Sequence, residues 1–229
     1  MFSTFTDQEL NAIYLSLKIA SVSILFALPF AIAVAWLLAR KNFWGKNLLN
    51  GIIHLPLVLP PVVIGYLLLI LMAKKGAIGR YLWEWFGVSL SFSWRGAVLA
   101  SMVMAFPLMV RSIRLAFDAI DPKLEQAART LGASPLKVFF TLNLPLSFSG
   151  IIAGAVLGFA RSLGEFGATI TFVSNIPKET QTIPAALYTF IETPDGEMAA
   201  ARLCLVAIAI SLIALFCSEW LAQRQQKYR

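Results

Sequence analysis

The sequence predicts an all-α integral membrane protein with about five transmembrane helices. Hydrophobic residues make up 59% of the 229-residue chain and charged residues only 14%. A soluble domain runs near half apolar and a quarter charged, so a water-soluble globule is excluded, and the mean hydropathy of +0.76 agrees. The apolar residues gather in runs long enough to cross a bilayer, which takes about 20 residues of helix. Barrel strands would be shorter and would alternate in polarity, so helices are expected.

The first run, Leu15 to Ala39, holds one charge, Lys18, near enough to its end to snorkel. Asp7 and Glu9 precede it without a basic residue. A cleavable signal peptide is therefore not expected, and the run stays as a membrane helix. The second run, Leu48 to Ala73, carries Pro56, Pro60 and Pro61 in its first half; these kink or break it, and a gating hinge and a static bend both fit. The third, Gly96 to Val110, is shorter and is extended by Phe92 and Trp94. The fourth, Phe148 to Val173, contains Arg161 and Glu165, and the fifth runs from Ala199 to Ala222. Both cysteines, Cys204 and Cys217, lie in the fifth run. Roughly 20 Å of helix separates them, beyond disulfide reach. They are expected as buried packing residues with no redox or metal role.

The connections are structured. Arg80 to Trp94 holds Tyr81, Trp83, Trp85 and Phe86, an aromatic density typical of the membrane–water boundary. Ile183 to Ile191 is apolar but too short to span, so an interfacial or re-entrant segment is expected. Pro177, Pro184, Pro194 and Gly196 punctuate that loop.

The net charge is +7, but the 19 basic residues are scattered between apolar runs, which excludes a nucleic-acid role. With five spans they sort onto two sides. Arg40, Lys41, Lys46, Arg111, Arg114, Lys123, Arg129, Lys137, Arg224, Lys227 and Arg229 fall on one. Lys18, Lys74, Lys75, Arg80, Arg95, Lys178 and Arg202 fall on the other, with the acidic Glu179, Glu192, Asp195 and Glu197. The more basic side is cytoplasmic by the positive-inside rule, giving a periplasmic N-terminus and a cytoplasmic C-terminus.

The segment 121–145, between the third and fourth runs, is the most informative. Asp121 can cap a helix and Pro122 suits its first position. Leu124, Ala127, Ala128 and Leu131 recur at helical spacing, and Gly132 can end the helix in the left-handed conformation. Ser134-Pro135 repeats the capping signal for a second short helix carrying Leu136, Phe139 and Phe140, which Leu144-Pro145 stops. On periodicity alone these are membrane-surface helices. The small Ala127-Ala128 pair also suits the close approach of another protein.

Gln126-Ala-Ala followed by Gly132 and closing on Leu144-Pro145 resembles the cytoplasmic loop of ATP-binding-cassette importer permeases. The chain departs from that family at Gln126, where the usual residue is Glu; Glu125 stands just before it and can substitute in a salt bridge. His54-Leu-Pro-Leu-Val-Leu-Pro-Pro-Val-Val-Ile-Gly-Tyr66, Phe92-Ser-Trp-Arg-Gly96 and Ala160-Arg-Ser-Leu-Gly-Glu-Phe-Gly-Ala-Thr-Ile-Thr-Phe-Val-Ser-Asn175 are similar to the molybdate branch, the Leu163-Gly-Glu-Phe-Gly167 core of the last being shared with sulfate permeases. Ile176 to Pro184 and Tyr188 to Pro194 incline the resemblance to molybdate.

The resemblance implies a type I, MetI-like importer architecture for the whole chain, 1–229, as one transmembrane domain in the bacterial inner membrane. It makes 121–145 a coupling loop, with Glu125, Gln126, Ala127, Ala128 and Gly132 seated in a groove of an ATPase. The implied partners are a second permease copy, two ATP-binding subunits that use ATP and Mg, and a periplasmic molybdate-binding protein. The same machine carrying sulfate or tungstate is the nearest alternative. An ATP-independent secondary transporter would need midplane acids and often inverted repeats; only Glu165 is a candidate, and no internal repeat is found.

In the fourth run Gly150, Gly154 and Gly158 bare one helix face for close packing. Arg161 and Glu165 are spaced to pair on one helix face. Intramembrane charges face protein or a water-filled path, so the pair either borders the translocation route or locks neighbouring helices. Ser162, Thr169 and Thr171 offer neutral hydrogen bonds to an oxyanion or bond helix carbonyls, and Gly164 keeps the chain thin beside them. His54 has no carboxylate or cysteine near it in sequence, so no metal is expected. Gly45-Lys46-Asn47 lacks the upstream glycine and the hydroxyl residue of an ATP-binding loop. This subunit is therefore not expected to hydrolyse ATP or to hold a cofactor.

Overall fold

The computed structural model describes residues 5–226, the side chains of 218, 219 and 221–226 excepted, and its regular elements are all helices. Arg224, Lys227 and Arg229, counted above toward the cytoplasmic side, lie outside the described side chains. Helix α1 (Asp7–Arg40) opens on a capping box in which the Thr6 hydroxyl accepts from Glu9 N–H and the Glu9 carboxylate accepts from Thr6 N–H. The helix thus begins two turns ahead of the apolar run. Its covered face is built from small residues, Ala20, Ala27, Ala31 and Ala35.

That face receives α5 (Trp94–Asp118), which runs parallel to α1: the Ser23 hydroxyl donates to Val98 O at one level, and Arg40 donates to Ile120 O at another. Sequence hydropathy places the end of this span at Val110, but the helix continues through Asp118. Arg111 to Asp118 is rich in good helix formers, so the backbone outlasts the apolar run.

The second apolar run is two helices, α2 (Lys46–Val58) and α3 (Pro61–Met72), bent by 113° at the break. Pro60 drives Leu59 into extended backbone at φ −74, ψ 144. Pro56 stays inside α2 without ending it. Helix α4 (Gly79–Phe86) exposes Tyr81, Trp83, Trp85 and Phe86, and Lys74 Nζ sits 3.9 Å from the Trp83 ring centre.

The loop helices α6 (Pro122–Thr130), α7 (Pro135–Val138) and α8 (Leu144–Leu146) lead to α9 (Phe148–Leu163) through a 67° bend. The expected stop at Leu144-Pro145 falls three residues later, at Ser147, because Pro145 occupies a first-turn position of α8 that needs no N–H. Helix α9 returns antiparallel to α5. A Cβ at Gly150 would strike Ala116, at Gly154 it would meet Ile113, and at Gly158 Ile24 and Met109. The three glycines are therefore helix-packing positions.

The fourth run is also interrupted: α9 ends at Leu163, and α10 (Gly167–Val173) restarts after Gly164–Phe166. Helix α10 lies along α3, where Gly65 leaves room for the Ala168 backbone. Helix α11 (Ile183–Glu192) packs on α12 (Glu197–Gln226). Among the described residues α1, α5 and 197–217 of α12 are each long and apolar enough to span, and counting each of the two bent pairs as one span brings the number up to five.

Besides a small cluster of Ala12, Ile183, Ala186 and Leu203 that joins α1, α11 and α12, two larger apolar clusters fill the bundle. One lies toward the loop end, around Leu38, Met109, Ile113 and Phe117; the other lies toward the N-terminal end, around Ile19, Met104 and Phe172. Cys204 and Cys217, expected to be buried, are exposed. Helix α12 touches α9 and α11 along one edge and turns the rest of its apolar surface, including Leu205 and Phe216, outward.

Candidate functional site

The loop 121–145 is assembled by local capping and then bolted to the bundle. The Asp121 carboxylate accepts from Lys123 N–H at 2.9 Å, and the Ser134 hydroxyl accepts from Lys137 N–H at 3.3 Å. Between them Gly132 takes φ +84, the left-handed turn that closes α6. After α7 the chain passes through one π-helical stretch, Phe139–Asn143, rather than an even α-helix. That local widening is a tertiary feature without a sequence signal. It aims Phe139 into the bundle, edge-on to Trp36 at 5.4 Å between ring centres and 6.4 Å from Phe117.

A second fastening is ionic. Arg40, the last residue of α1, reaches Glu125 with 2.6 Å between Nε and Oε1, and the same guanidinium donates to Ile120 O at 2.9 Å. Both side chains keep only 13% of their exposure. Glu125, read from sequence as able to stand in for the glutamate at position 126 in a partner salt bridge, is thus already engaged within the chain. Gln126 and Ala127 are exposed and Ala128 is half-buried. Leu124, Leu131, Leu136 and Phe140 are exposed, Leu131 at 89%. The loop is fastened from behind and shows outward the apolar Leu124, Leu131, Leu136 and Phe140 and the small Ala127, set among the basic Lys123, Arg129 and Lys137.

The second candidate region is the break between α9 and α10. Arg161 and Glu165 do pair, with 2.6 Å between Nη1 and Oε2. The geometry is not that of one continuous helix, because the helix ends at Leu163 and Glu165 lies in the break. Its other oxygen accepts from Ala168 N–H at 2.8 Å, so the buried carboxylate also caps α10. The Thr169 hydroxyl donates to Phe166 O and the Thr171 hydroxyl to Gly167 O, both at 2.9 Å. Ser162 Oγ is buried without a hydrogen-bond partner among the described residues. Gly164 is exposed and lines a mostly apolar cavity of about 380 Å³ with Phe166, Pro184, Tyr188 and Ser211. The structure therefore joins Arg161, Glu165 and the α10 N-terminus in one motif, while the hydroxyls of Thr169 and Thr171 turn to the backbone.

Sequence reasoning missed the pairing at the other end of the bundle. Glu9, fully buried, takes Arg202 Nε and Nη2 at 2.8 and 3.1 Å while it caps α1. The Thr6-x-x-Glu9 capping signature was readable; a partner 193 residues away was not. Nearby Ile183 N–H donates to Ser16 Oγ at 2.7 Å, and Gln8 bonds Gln181 at 2.9 Å. Lys18 Nζ rests 3.8 Å from the Trp94 ring centre, a covered route to the boundary for its charge.

Residues 27–227 match the family described as binding-protein-dependent transport system inner membrane component. The molybdenum transport system permease protein ModB of Haemophilus influenzae is 68% identical, over 96% of each chain. That of Escherichia coli K12 is 64% identical, over 95% of each chain. A sulfate transport system permease protein of Salmonella typhimurium is 34% identical, over 96% of this chain and 79% of its own. Among solved structures, an inward-facing MetNI methionine ABC transporter superposes with TM-score 0.73 at 15% identity, over 94% of this chain and 95% of the other. A bacterial alginate ABC transporter in complex with a pentasaccharide-bound periplasmic protein gives 0.75 at 18%, over 96% and 80%. At these identities the two structures speak for the fold.

Proposed function

The chain belongs to the family of binding-protein-dependent transport system inner membrane components, and from that premise we propose that it forms the path for molybdate in an ATP-driven importer. It is a multi-pass inner-membrane protein and a non-catalytic permease subunit. Identity of 64–68% to molybdenum permeases against 34% to a sulfate permease supports molybdate as the substrate. In this reading the N-terminus is periplasmic and the loop end cytoplasmic, in keeping with the basic Arg40, Lys41, Lys46, Arg111, Arg114, Lys123, Arg129 and Lys137.

Two copies pair around one path, two ATP-binding subunits dock on the loops, and a periplasmic binding protein delivers the oxyanion. ATP and Mg act in the docked subunits, and this subunit holds no cofactor. The observation that carries the coupling role is the loop's construction. Its exposed apolar side chains, set among basic ones, suit a partner groove, while the Arg40–Glu125 pair and Phe139 transmit displacement to α1 and α5. ATP binding closes the docked subunits and shifts the loops. The bundle then moves between outward and inward states, each favoured by its own contacts. The Arg161–Glu165 motif lies in a helix break, where irregular backbone in a membrane protein lines a cavity or is buried in protein.

Leu131→Asp tests the assignment. The residue is almost fully exposed, so the fold should stand while the ATP-binding subunit no longer co-purifies. Undiminished co-purification and ATP-driven uptake would remove the loop from the docking surface.

A further inference from the structure

A polar cavity at the loop end is used by neither the coupling loop nor the helix break. Asn50 and His54 stand one turn apart on α2, and Arg111, Arg114 and Asp118 follow one face of α5; with Leu115 they line a cavity of about 370 Å³. Most of these groups are engaged with one another. Arg114 Nε lies 3.5 Å from the Asp118 carboxylate, and its Nη1 donates to Asn50 Oδ1 at 3.2 Å. That bond leaves the Asn50 NH2 as a donor. His54 Nδ1 is 2.8 Å from Asn50 O, so in the neutral ring this nitrogen carries the hydrogen.

Arg111 differs. It is exposed and has no ion-pair or hydrogen-bond partner among the described residues. Arg111 and Arg114 against Asp118 leave one net positive charge on the cavity. An unsatisfied guanidinium at the margin of a membrane helix calls for water or an anion. Its planar fork of N–H groups matches two oxygens of a tetrahedral oxyanion, and the Asn50 amide adds a donor.

We propose that the Asn50–His54–Arg111–Arg114 cavity binds a tetrahedral oxyanion, with Arg111 as its principal contact. Two sources share this chemistry: the phosphate of an anionic lipid headgroup and the free oxyanion arriving at the cytoplasmic mouth. Leu115, 64% exposed at the rim, offers apolar surface for an acyl chain. The second source rests on the proposed substrate; the first does not.

The permease–ATPase complex is compared as wild type, Arg111→Gln and Arg111→Lys in nanodiscs of phosphatidylcholine. One arm measures immobilisation of spin-labelled phosphatidylglycerol; the other measures equilibrium binding of radiolabelled molybdate without binding protein. In at least one arm the wild type should hold the probe about tenfold more tightly than Arg111→Gln, with Arg111→Lys between them. Retention of the lipid identifies a headgroup site and retention of molybdate an exit site for cargo. Equal retention by all three proteins in both arms overturns the proposal. Molybdate transport by the wild type is measured in parallel in sealed vesicles with the binding protein supplied: its absence would count against the substrate assignment, while the lipid arm still decides whether the cavity is an anion site.

Discussion

Replacing Arg40 with alanine should free the coupling loop from α1 without unfolding the bundle. The guanidinium makes two contacts, the 2.6 Å ion pair with Glu125 and the 2.9 Å hydrogen bond to Ile120 O. Exposed ion pairs contribute about 0–1 kcal/mol, whereas removing one partner of a buried pair costs about 3–5 kcal/mol. With 13% of each side chain still exposed, the cost of Arg40→Ala falls at about 2–3 kcal/mol. If that energy is lost as local loosening, opening of the loop becomes roughly 30- to 150-fold more frequent. Hydrogen exchange over 122–130 in nanodiscs reads this directly, and molybdate moved per ATP hydrolysed reads its consequence. Exchange should rise and the ratio should fall, with partial recovery in the swapped pair Arg40→Glu with Glu125→Arg. Unchanged exchange in Arg40→Ala would refute the view that this pair fastens the loop.

Gly132→Val should cost about 1–2 kcal/mol through its φ of +84 alone, since nothing lies within 4 Å of the added Cβ. Co-purified ATPase should decline while membrane insertion holds, and full co-purification would contradict the turn's importance. Gly150→Ala drives a methyl onto Ala116. It should cost about 1–3 kcal/mol, seen as a lower unfolding temperature in detergent; an unchanged midpoint would argue against close α5–α9 packing. For Arg161 and Glu165 a double-mutant cycle on thermal stability should return a coupling of about 1–3 kcal/mol. Glu165→Ala should be the worse single change because it also uncaps α10, and additive defects would deny the pair.

What the sequence disclosed was what is local. Asp121, Pro122, Gly132 and Ser134 act on backbone within a few residues of themselves, and each stands in the structure where its chemistry places it. The glycine ladder 150–154–158 was legible for the same reason, as a one-face pattern at helical period. Helix ends were less legible, since hydropathy marks where lipid would be and not where hydrogen bonding stops. Helix α5 therefore outlasts its apolar run, and α1 begins before its own. Pro60 announced the break before α3. Gly164 announced only thinness, because the restart at Gly167 depends on Glu165 capping α10 across the gap. The Glu9–Arg202 and Arg40–Glu125 pairs join residues far apart in sequence, where no periodicity points. Burial of Cys204 and Cys217 was misread because an apolar helix can face lipid or protein, and composition is alike in both.

Transport in sealed vesicles tests the account most directly. The permease is reconstituted with its ATP-binding subunit, and the periplasmic binding protein and molybdate, tungstate or sulfate are supplied on the outer face. Molybdate should accumulate only with ATP and the ATP-binding subunit present, and sulfate should not substitute for it. Accumulation that persists without ATP hydrolysis, or that follows an ion gradient, would contradict the account.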